Sequence, residues 1–385
     1  MNLHDPECLR ERRPLHDVRS YAEACGTFLT NGGDIEALIE TFGPVLQADL
    51  DWKNSPCFPP PYIADLKGVT IIPGTRVLLN TEGNALSDEV ELGFRMFGLR
   101  PKLWDMEITE GPNLNFETTS REPDVIPCGI HMTGEHEANY FHWIVEVLPR
   151  LFLCEKLLID KKIPILVSEG LHPNLYALLD RIRDPGRAVL RLPPDCHYPV
   201  ARLIYPSDIT RIFDIYDRSP GKDTVYLPVA LLREMAAGIK SALNVTTSSL
   251  GKCLYIKRNS GYRRLLNEPE IESLLTGKDC DIVDPGELSI EEQIRIFSHA
   301  ETIVGPSGAA MANMLWCRPG TRVIILHSDH PFKKYPYWDA LARACEAQVT
   351  YLSGPRAHSI TGMFEAHDDF SIDPEELLRT LENPQ

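Results

Sequence analysis

Residues 252–326 read KCLYIKRNSGYRRLLNEPEIESLLTGKDCDIVDPGELSIEEQIRIFSHAETIVGPSGAAMANMLWCRPGTRVIIL, and this stretch decides the fold. Short apolar runs recur in it: Cys253-Leu254-Tyr255-Ile256, Ile282-Val283, Thr302-Ile303-Val304 and Val323-Ile324-Ile325-Leu326. Each is bounded by charged, glycine or proline residues and spaced for an intervening helix. Strands joined by such crossovers pair in parallel. The intervening segments announce helix starts, since Asn267 with Glu270 and Ser289 with Glu292 have the three-residue spacing of a capping box. Ile271, Leu274 and Leu275 after the first, and Ile294, Ile296 and Phe297 after the second, give each helix an apolar stripe for the sheet.

The third unit differs. Thr302-Ile303-Val304 runs directly into Gly305-Pro306-Ser307-Gly308-Ala309-Ala310 and then Met311-Ala312-Asn313-Met314-Leu315-Trp316. Small residues let a ligand approach the backbone, and a helix opening there aims unpaired N–H groups at it. Upstream, Lys257, Arg258, Arg263 and Arg264 concentrate positive charge in a chain with 39 Lys and Arg against 55 Asp and Glu. In open α/β sheets ligands sit at the carboxyl ends of strands, where the basic residues and the Gly305 turn both fall. A solvated loop and a tight turn are the plainer readings of each feature alone. Their joint position favours an anion site, and guanidinium forks suit a diphosphate.

The 385 residues, 43% hydrophobic, suffice for two domains with full cores. A net charge of −16 argues against nonspecific nucleic-acid binding and against broad adhesion to anionic membranes. The first twenty residues lack the apolar core of a signal peptide and no later run is long enough to span a bilayer, so a cytoplasmic protein is expected. The cysteines, at 8, 25, 57, 128, 154, 196, 253, 280, 317 and 345, include no Cys-x-x-Cys pair. Buried reduced thiols are expected rather than disulfides or zinc.

In the N-terminal half, residues 56–61 are proline-rich and read as a loop. Val69–Ile72, Val77–Leu79, Ile163–Val167, Ala188–Leu190 and Leu203–Tyr205 read as strands, with a helix around 174–182. A linker at Ser219-Pro220-Gly221-Lys222-Asp223 divides the chain into an N-terminal α/β domain, 1–222, and a C-terminal one, 223–385, opening with a helix over 229–243. Two such domains facing one another leave a cleft. Between 139 and 159, Tyr140, Ile144, Val147, Leu148, Leu151 and Leu158 follow helical spacing, while Asn139, His142, Glu146 and Arg150 recur along a neighbouring edge. Pro149 is expected to kink this helix. A wet polar face is the plain reading of that edge, but Phe141 and Trp143 flank His142 with aromatic rings.

Asn139-Tyr140-Phe141-His142-Trp143, Glu146-Val147-Leu148-Pro149-Arg150, Lys257-Arg258, Arg263, Asn267-Glu268, Glu287, Gln293 and Gly305 to Ala310 with Asn313 together resemble glycosyltransferase family 61, with further likeness at His367-Asp368-Asp369-Phe370. The resemblance implies a GT-B-like fold of two Rossmann-like domains, an inverting mechanism and a nucleotide-sugar donor, commonly a UDP-sugar, held by the C-terminal domain. It implies surface or capsular polysaccharide synthesis of the bacterial type. It places Lys257, Arg258, Arg263, Asn267, Glu287, Gln293, Ser307, Gly308, Ala309 and Asn313 on the donor side, and Asn139, Trp143 and Arg150 on the acceptor side. Many members carry histidine where this chain has Ser307, so no role of that imidazole transfers here. A serine hydroxyl can still donate to phosphate.

The chemistry expected is attack of an acceptor hydroxyl on the anomeric carbon as nucleoside diphosphate leaves. It needs a base near the hydroxyl and positive charge near the phosphates. His142 is the expected base, with Glu146 one turn away to orient it or replace it. Neither cofactor nor metal is called for: the nucleotide sugar is a substrate, and the partner is a glycan or glycolipid acceptor, with room for peripheral association with a membrane assembly. Asp279-Cys280-Asp281 has the Asp-x-Asp form of metal-dependent transferases but reads better as a turn. His327-Ser328-Asp329-His330 has spacing for an ion but reads better as a loop near the donor sugar. An oxidoreductase or epimerase is the rival enzyme reading, weakened because the Gly-x-Gly-x-x-Gly fingerprint is absent; a sugar-nucleotide or glycan-binding protein without catalysis is the non-enzymatic one. Residues 373–381 read as a closing helix; the GT-B-like fold that the resemblance implies leaves room for it to cross back to the first domain.

Overall fold

The computed structural model describes residues 10–16, 18, 22, 62–88, 107–108, 113–117, 123–212, 225–245, 251–330, 335–357 and 368–382. The proline-rich loop at 56–61, the linker at Ser219–Asp223, His367, and Cys8, Cys25 and Cys57 lie outside the described residues. By internal contacts the chain forms two compact units, one ending at Ile209 and the other beginning at Thr210.

The first unit carries a mixed sheet of β1 (Arg10–His16), β2 (Ile63–Ile71), β3 (Leu78–Leu79), β4 (Ala85–Leu86), β5 (Glu107–Ile108), β6 (Asn113–Glu117), β7 (Gly129–His131), β8 (Ile165–Ser168), β9 (Val189–Leu192) and β10 (Tyr198–Pro206). Its order is β5-β6-β1-β4-β3-β2-β10-β7-β8-β9. The last four strands in that order run parallel, and β2 pairs antiparallel with β10 from Tyr198↔Ile71 to Pro206↔Ile63. Crossovers join the parallel strands: α1 spans 140–156 between β7 and β8, and α2 (Pro173–Ile182) lies between β8 and β9. Leu66, Ile71, Leu166, Leu203 and Tyr205 are among the residues that close the core.

Helix α1 is not uniform. It is α-helical at Tyr140–His142, π-helical at Trp143–Val147 and α-helical again at Leu148–Lys156. Pro149 has no N–H to donate one turn back, and the wider turn just before it absorbs that defect, with Leu148 N–H donating to Trp143 C=O.

The second unit holds a short hairpin, β11 (Arg211–Ile212) with β12 (Val225–Tyr226), then helix α3 (Val229–Ala242). Its main sheet comprises β13 (Cys253–Ile256), β14 (Cys280–Val283), β15 (Thr302–Pro306), β16 (Arg322–Ser328) and β17 (Gln348–Gly354). All pairings in it are parallel, in the order β14-β13-β15-β16-β17. Helices α4 (Glu268–Thr276), α5 (Ile290–His299), α6 (Pro336–Cys345) and α7 (Pro374–Glu382) connect or follow the strands, with a 3-10 helix at Ala309–Trp316. Alternation along the strands sorts the two faces. Tyr255, Val304, Ile324 and Leu352 pack with Ile271 and Leu275 of α4 and Leu377 of α7. On the opposite side Gly305 faces Met311 of the 3-10 helix, which packs with α3, α5 and α6. The strand order reverses at β13, so with right-handed crossovers α4 and α5 fall on opposite faces and a crevice opens at the carboxyl ends of β13 and β15.

Two local expectations are corrected. Ser289 and Glu292 form the reciprocal capping box, but Asn267 makes no cap bond. Its amide instead donates to Ile372 C=O at 2.8 Å and accepts from Ile372 N–H at 3.1 Å, tying the start of α4 to the chain ahead of α7. The reduced state expected of the cysteines fails at Cys253 and Cys280, which form a disulfide. They are register partners on adjacent strands, with Cα atoms 4.5 Å apart, within disulfide range. Cys128, Cys154, Cys196, Cys317 and Cys345 are free.

The closing helix α7 is fastened to its own unit by Lys278–Glu382 at 2.8 Å and by the Arg322 guanidinium on the carbonyls of Thr380 and Leu381.

Candidate functional site

The basic cluster lies at the carboxyl end of β13, and the fold divides it. Lys257 is held by Glu272 of α4 at 2.7 Å, a hydrogen bond that keeps its ammonium pKa above the usual value. Arg264 forks onto Asp369 at 2.9 and 2.6 Å, and its own N–H donates to the same carboxylate. Arg258 and Arg263 have no carboxylate partner among the described residues. Arg258 donates to Ser307 C=O at 3.1 Å, Tyr262 C=O at 3.4 Å and Ser260 Oγ at 3.3 Å. Burial, and then the charge of Arg263, push its pKa down to about 10. Arg263 Nε is buried without a hydrogen bond, and both guanidinium carbons lie 5.4 Å from the centre of the Tyr262 ring. Arg263 also takes a positive φ of 54°, uncommon for a side chain with Cβ and a sign of local strain. Two cations without an acid partner among the described residues leave positive charge uncompensated at this edge.

The turn after β15 sits against them. Ser307 is buried, its N–H bonded to Leu326 C=O at 2.8 Å and its Oγ accepting from Trp338 Nε1 at 3.1 Å. Gly308 is extended, and Ala309 opens the 3-10 helix, whose first N–H groups have no partner within the helix. Gln293 and Asn313, also assigned to the donor side, are buried and bonded to each other at 3.0 Å. The Gln293 amide also caps the carbonyls of Pro285 and Leu288, so this pair braces the loop after β14 against the 3-10 helix. Glu287 is exposed on the 3-10 turn Pro285–Glu287 after β14. Arg258, Arg263, Ser307, Gly308 and Ala309 thus gather at one edge. Lys257 is instead tied to Glu272, Asn267 to Ile372, and Gln293 to Asn313.

In the first unit the candidate residues lie on α1, which begins just past the carboxyl end of β7. Asn139 caps it, its Oδ1 accepting from Phe141 N–H at 2.9 Å. His142 Nδ1 lies 3.0 Å from Glu146 Oε1, with both side chains about a quarter exposed (23% and 25%). The His136 ring is centred 4.7 Å away from that of His142, and Phe141 meets it edge-on. Trp143 turns into the core and donates to Leu175 C=O at 3.0 Å. Arg150 is buried, its Nε on Glu146 C=O at 3.2 Å and its Nη1 3.8 Å from Asp208.

Around Arg150 lies a buried polar group that no sequence pattern marks beforehand. Asp208, just past β10, also takes Arg76 at 3.3 Å, and Arg76 donates to Pro206 C=O and stacks over Tyr205. His131, at the end of β7, stacks on the same ring; burial, aided by Arg76, holds its pKa well below the usual value. Burial pushes the Glu137 carboxyl up to about 8, against opposing hydrogen bonds from Ser168 and Gly134.

Among the described residues no group of three or more His, Cys, Asp or Glu is arranged for a metal ion. In the Asp-x-Asp segment, Asp279 forms a left-handed turn, Cys280 is in the disulfide and Asp281 accepts from Gly251 N–H, all at the amino edge of the sheet. His327 ends near Tyr335, with Nδ1 2.7 Å from Ser328 C=O. No helix of the described residues is long and apolar enough to cross a membrane.

A doubly covered parallel sheet with two guanidinium groups at its strand-order reversal, neither paired with an acid among the described residues, defines an α/β protein with a basic crevice. The family model described as Glycosyltransferase 61 matches residues 140–324, from the start of α1 into β16, and over that stretch the chain is similar to that family. Glycosyltransferase activity is what that likeness implies. No curated protein matches the chain.

Proposed function

We propose that the chain is an inverting glycosyltransferase of GT-B type that moves a sugar from a nucleoside-diphosphate donor, a UDP-sugar first, to a hydroxyl of a glycan or glycolipid. The second unit serves the donor and the first the acceptor. One observation carries the reading: Arg258 and Arg263, without an acid partner among the described residues, gathered with the Ser307–Ala309 turn at the carboxyl edge of a parallel sheet.

In the proposed reaction the acceptor oxygen bonds to the anomeric carbon from the face opposite the phosphate, and the bond from that carbon to the phosphate oxygen breaks. Glu146 Oε1 lies 3.0 Å from His142 Nδ1, where its charge favours the imidazolium formed as Nε2 receives the acceptor proton. The nucleoside diphosphate departs with the bonding electrons, its charge met by the two guanidinium groups and the Ala309 amide. Lys257 and Arg264 keep the basic loop in place. The scheme asks for no metal, and surface-polysaccharide synthesis at the cytoplasmic side of a membrane is the setting proposed for it.

The test is transfer by purified, folded His142→Ala and Glu146→Ala variants. A lost general base lowers kcat by about 10²- to 10⁴-fold. Near-normal turnover in both removes the assignment. Ser307, whose hydroxyl is engaged by Trp338, keeps a second reading in view: a sugar-nucleotide-binding protein without catalysis, which would bind UDP and form no product.

A further inference from the structure

We propose that Ser307, Gly308 and Trp338 form a seat that positions the Arg258 guanidinium for a diphosphate, making Trp338 a positioning residue. The inference rests on the reading that Arg258 binds the donor phosphates. The Ser307 peptide is fixed on three sides: its N–H on Leu326 C=O at 2.8 Å, its Oγ under Trp338 Nε1 at 3.1 Å, and its C=O on Arg258 Nη1 at 3.1 Å. The first contact belongs to the sheet edge. The second comes from α6, where the Trp338 indole is buried and meets the Tyr337 ring at 4.9 Å. A hydroxyl pinned by an indole N–H cannot swing, so the carbonyl of the same residue keeps its direction.

A carbonyl orients a guanidinium without cancelling its charge. That is the difference between Arg258 and its neighbours Lys257 and Arg264, which carboxylates both orient and neutralise. Gly308 completes the seat. Its φ of −177° is extended backbone open to any residue, so the chain path does not demand glycine. Space does: a Cβ there would stand 1.7 Å from Arg258 Nη1 and 3.0 Å from its Cζ. Any side chain at 308 must move the guanidinium off the turn. The depressed pKa of Arg258 fits a cation held partly desolvated for an incoming anion.

UDP binding by calorimetry and uridine binding by NMR are measured for the full chain and for Arg258→Ala, Gly308→Ala, Trp338→Phe, Ser307→Ala and the Trp338→Phe/Ser307→Ala pair. Trp338→Phe removes the indole donor while keeping an aromatic ring. Gly308→Ala and Arg258→Ala are expected to weaken UDP about 10- to 100-fold, as for a lost charge-assisted hydrogen bond, and Trp338→Phe about 3- to 10-fold, as for a neutral one. Uridine affinity stays at the full chain's value in each, which a general loss of structure would not spare. The double variant weakens UDP no further than either single change, because both remove one contact. UDP affinity unchanged in folded Trp338→Phe and Gly308→Ala, with Arg258→Ala impaired, overturns the seat and leaves the anion site standing. UDP affinity unchanged in Arg258→Ala overturns the anion site and the seat with it.

Discussion

Lys257 and Arg258 are adjacent in the chain and opposite in surroundings, one turned to Glu272 and the other to Ser307 C=O. The sequence shows a basic cluster and no more, because the acids that sort it arrive through the fold: Asp369 reaches Arg264 from 105 residues away. The same limit hid Glu137, a lone carboxylate in a loop until burial gives it a meaning. Its proton leaves the unfolded chain near pH 4.5 and the folded one near 8. Between those values the unfolded chain has shed a proton that the native state keeps, so the stability this group provides below pH 4.5 is lost as pH rises toward 8. Each pH unit in that window costs about 1.4 kcal/mol. Glu137→Gln cannot ionise and is expected to flatten that decline in urea unfolding between pH 5 and 8. Parallel pH profiles for the two proteins would show that the carboxyl titrates normally.

Elements were legible wherever a local pattern set them. Ser289 and Glu292 cap α5 as their spacing requires, and Pro149 marks the place where α1 departs from regular geometry, though as a π turn before the proline. Asn267 shows where local pattern yields, since its amide finds both backbone groups of Ile372 and leaves the cap. Cysteine spacing also misled. Cys253 and Cys280 lie too far apart in the chain to suggest a pair, yet parallel register makes them partners. Closing a loop of that length restricts the unfolded chain by roughly 3.5 kcal/mol. Digestion without reductant is therefore expected to yield one peptide linking the Cys253 and Cys280 segments, and Cys253→Ser is expected to lower Tm. Two separate alkylated peptides from unreduced protein would contradict the pairing.

At the scale of the molecule, alternating strand and helix patterns in 252–326 told of a parallel sheet, and the second unit has one, extended by β17 and closed by α7. The strand order, which puts the crevice between β13 and β15, was not readable, because neighbours in a sheet are chosen by tertiary packing. The first unit was harder still: β8, β9 and β10 were visible as apolar runs and β7 was not, while their incorporation into a larger mixed sheet through β2 and β10 depends on pairings between distant segments. Similarity to glycosyltransferase family 61 points this architecture toward glycosyl transfer, and Arg258 and Arg263, without a carboxylate partner among the described residues, are the proposed place for the donor phosphates. The most direct test is mass spectrometry of products after the full chain and its Arg258→Ala/Arg263→Ala variant are incubated with a panel of nucleotide sugars and glycan acceptors. The account predicts a product one glycosyl residue heavier from at least one UDP-sugar, and yield reduced at least about 100-fold in the variant, as two charge-assisted contacts are lost. Product formed equally by both proteins, or by neither with any donor, would contradict it.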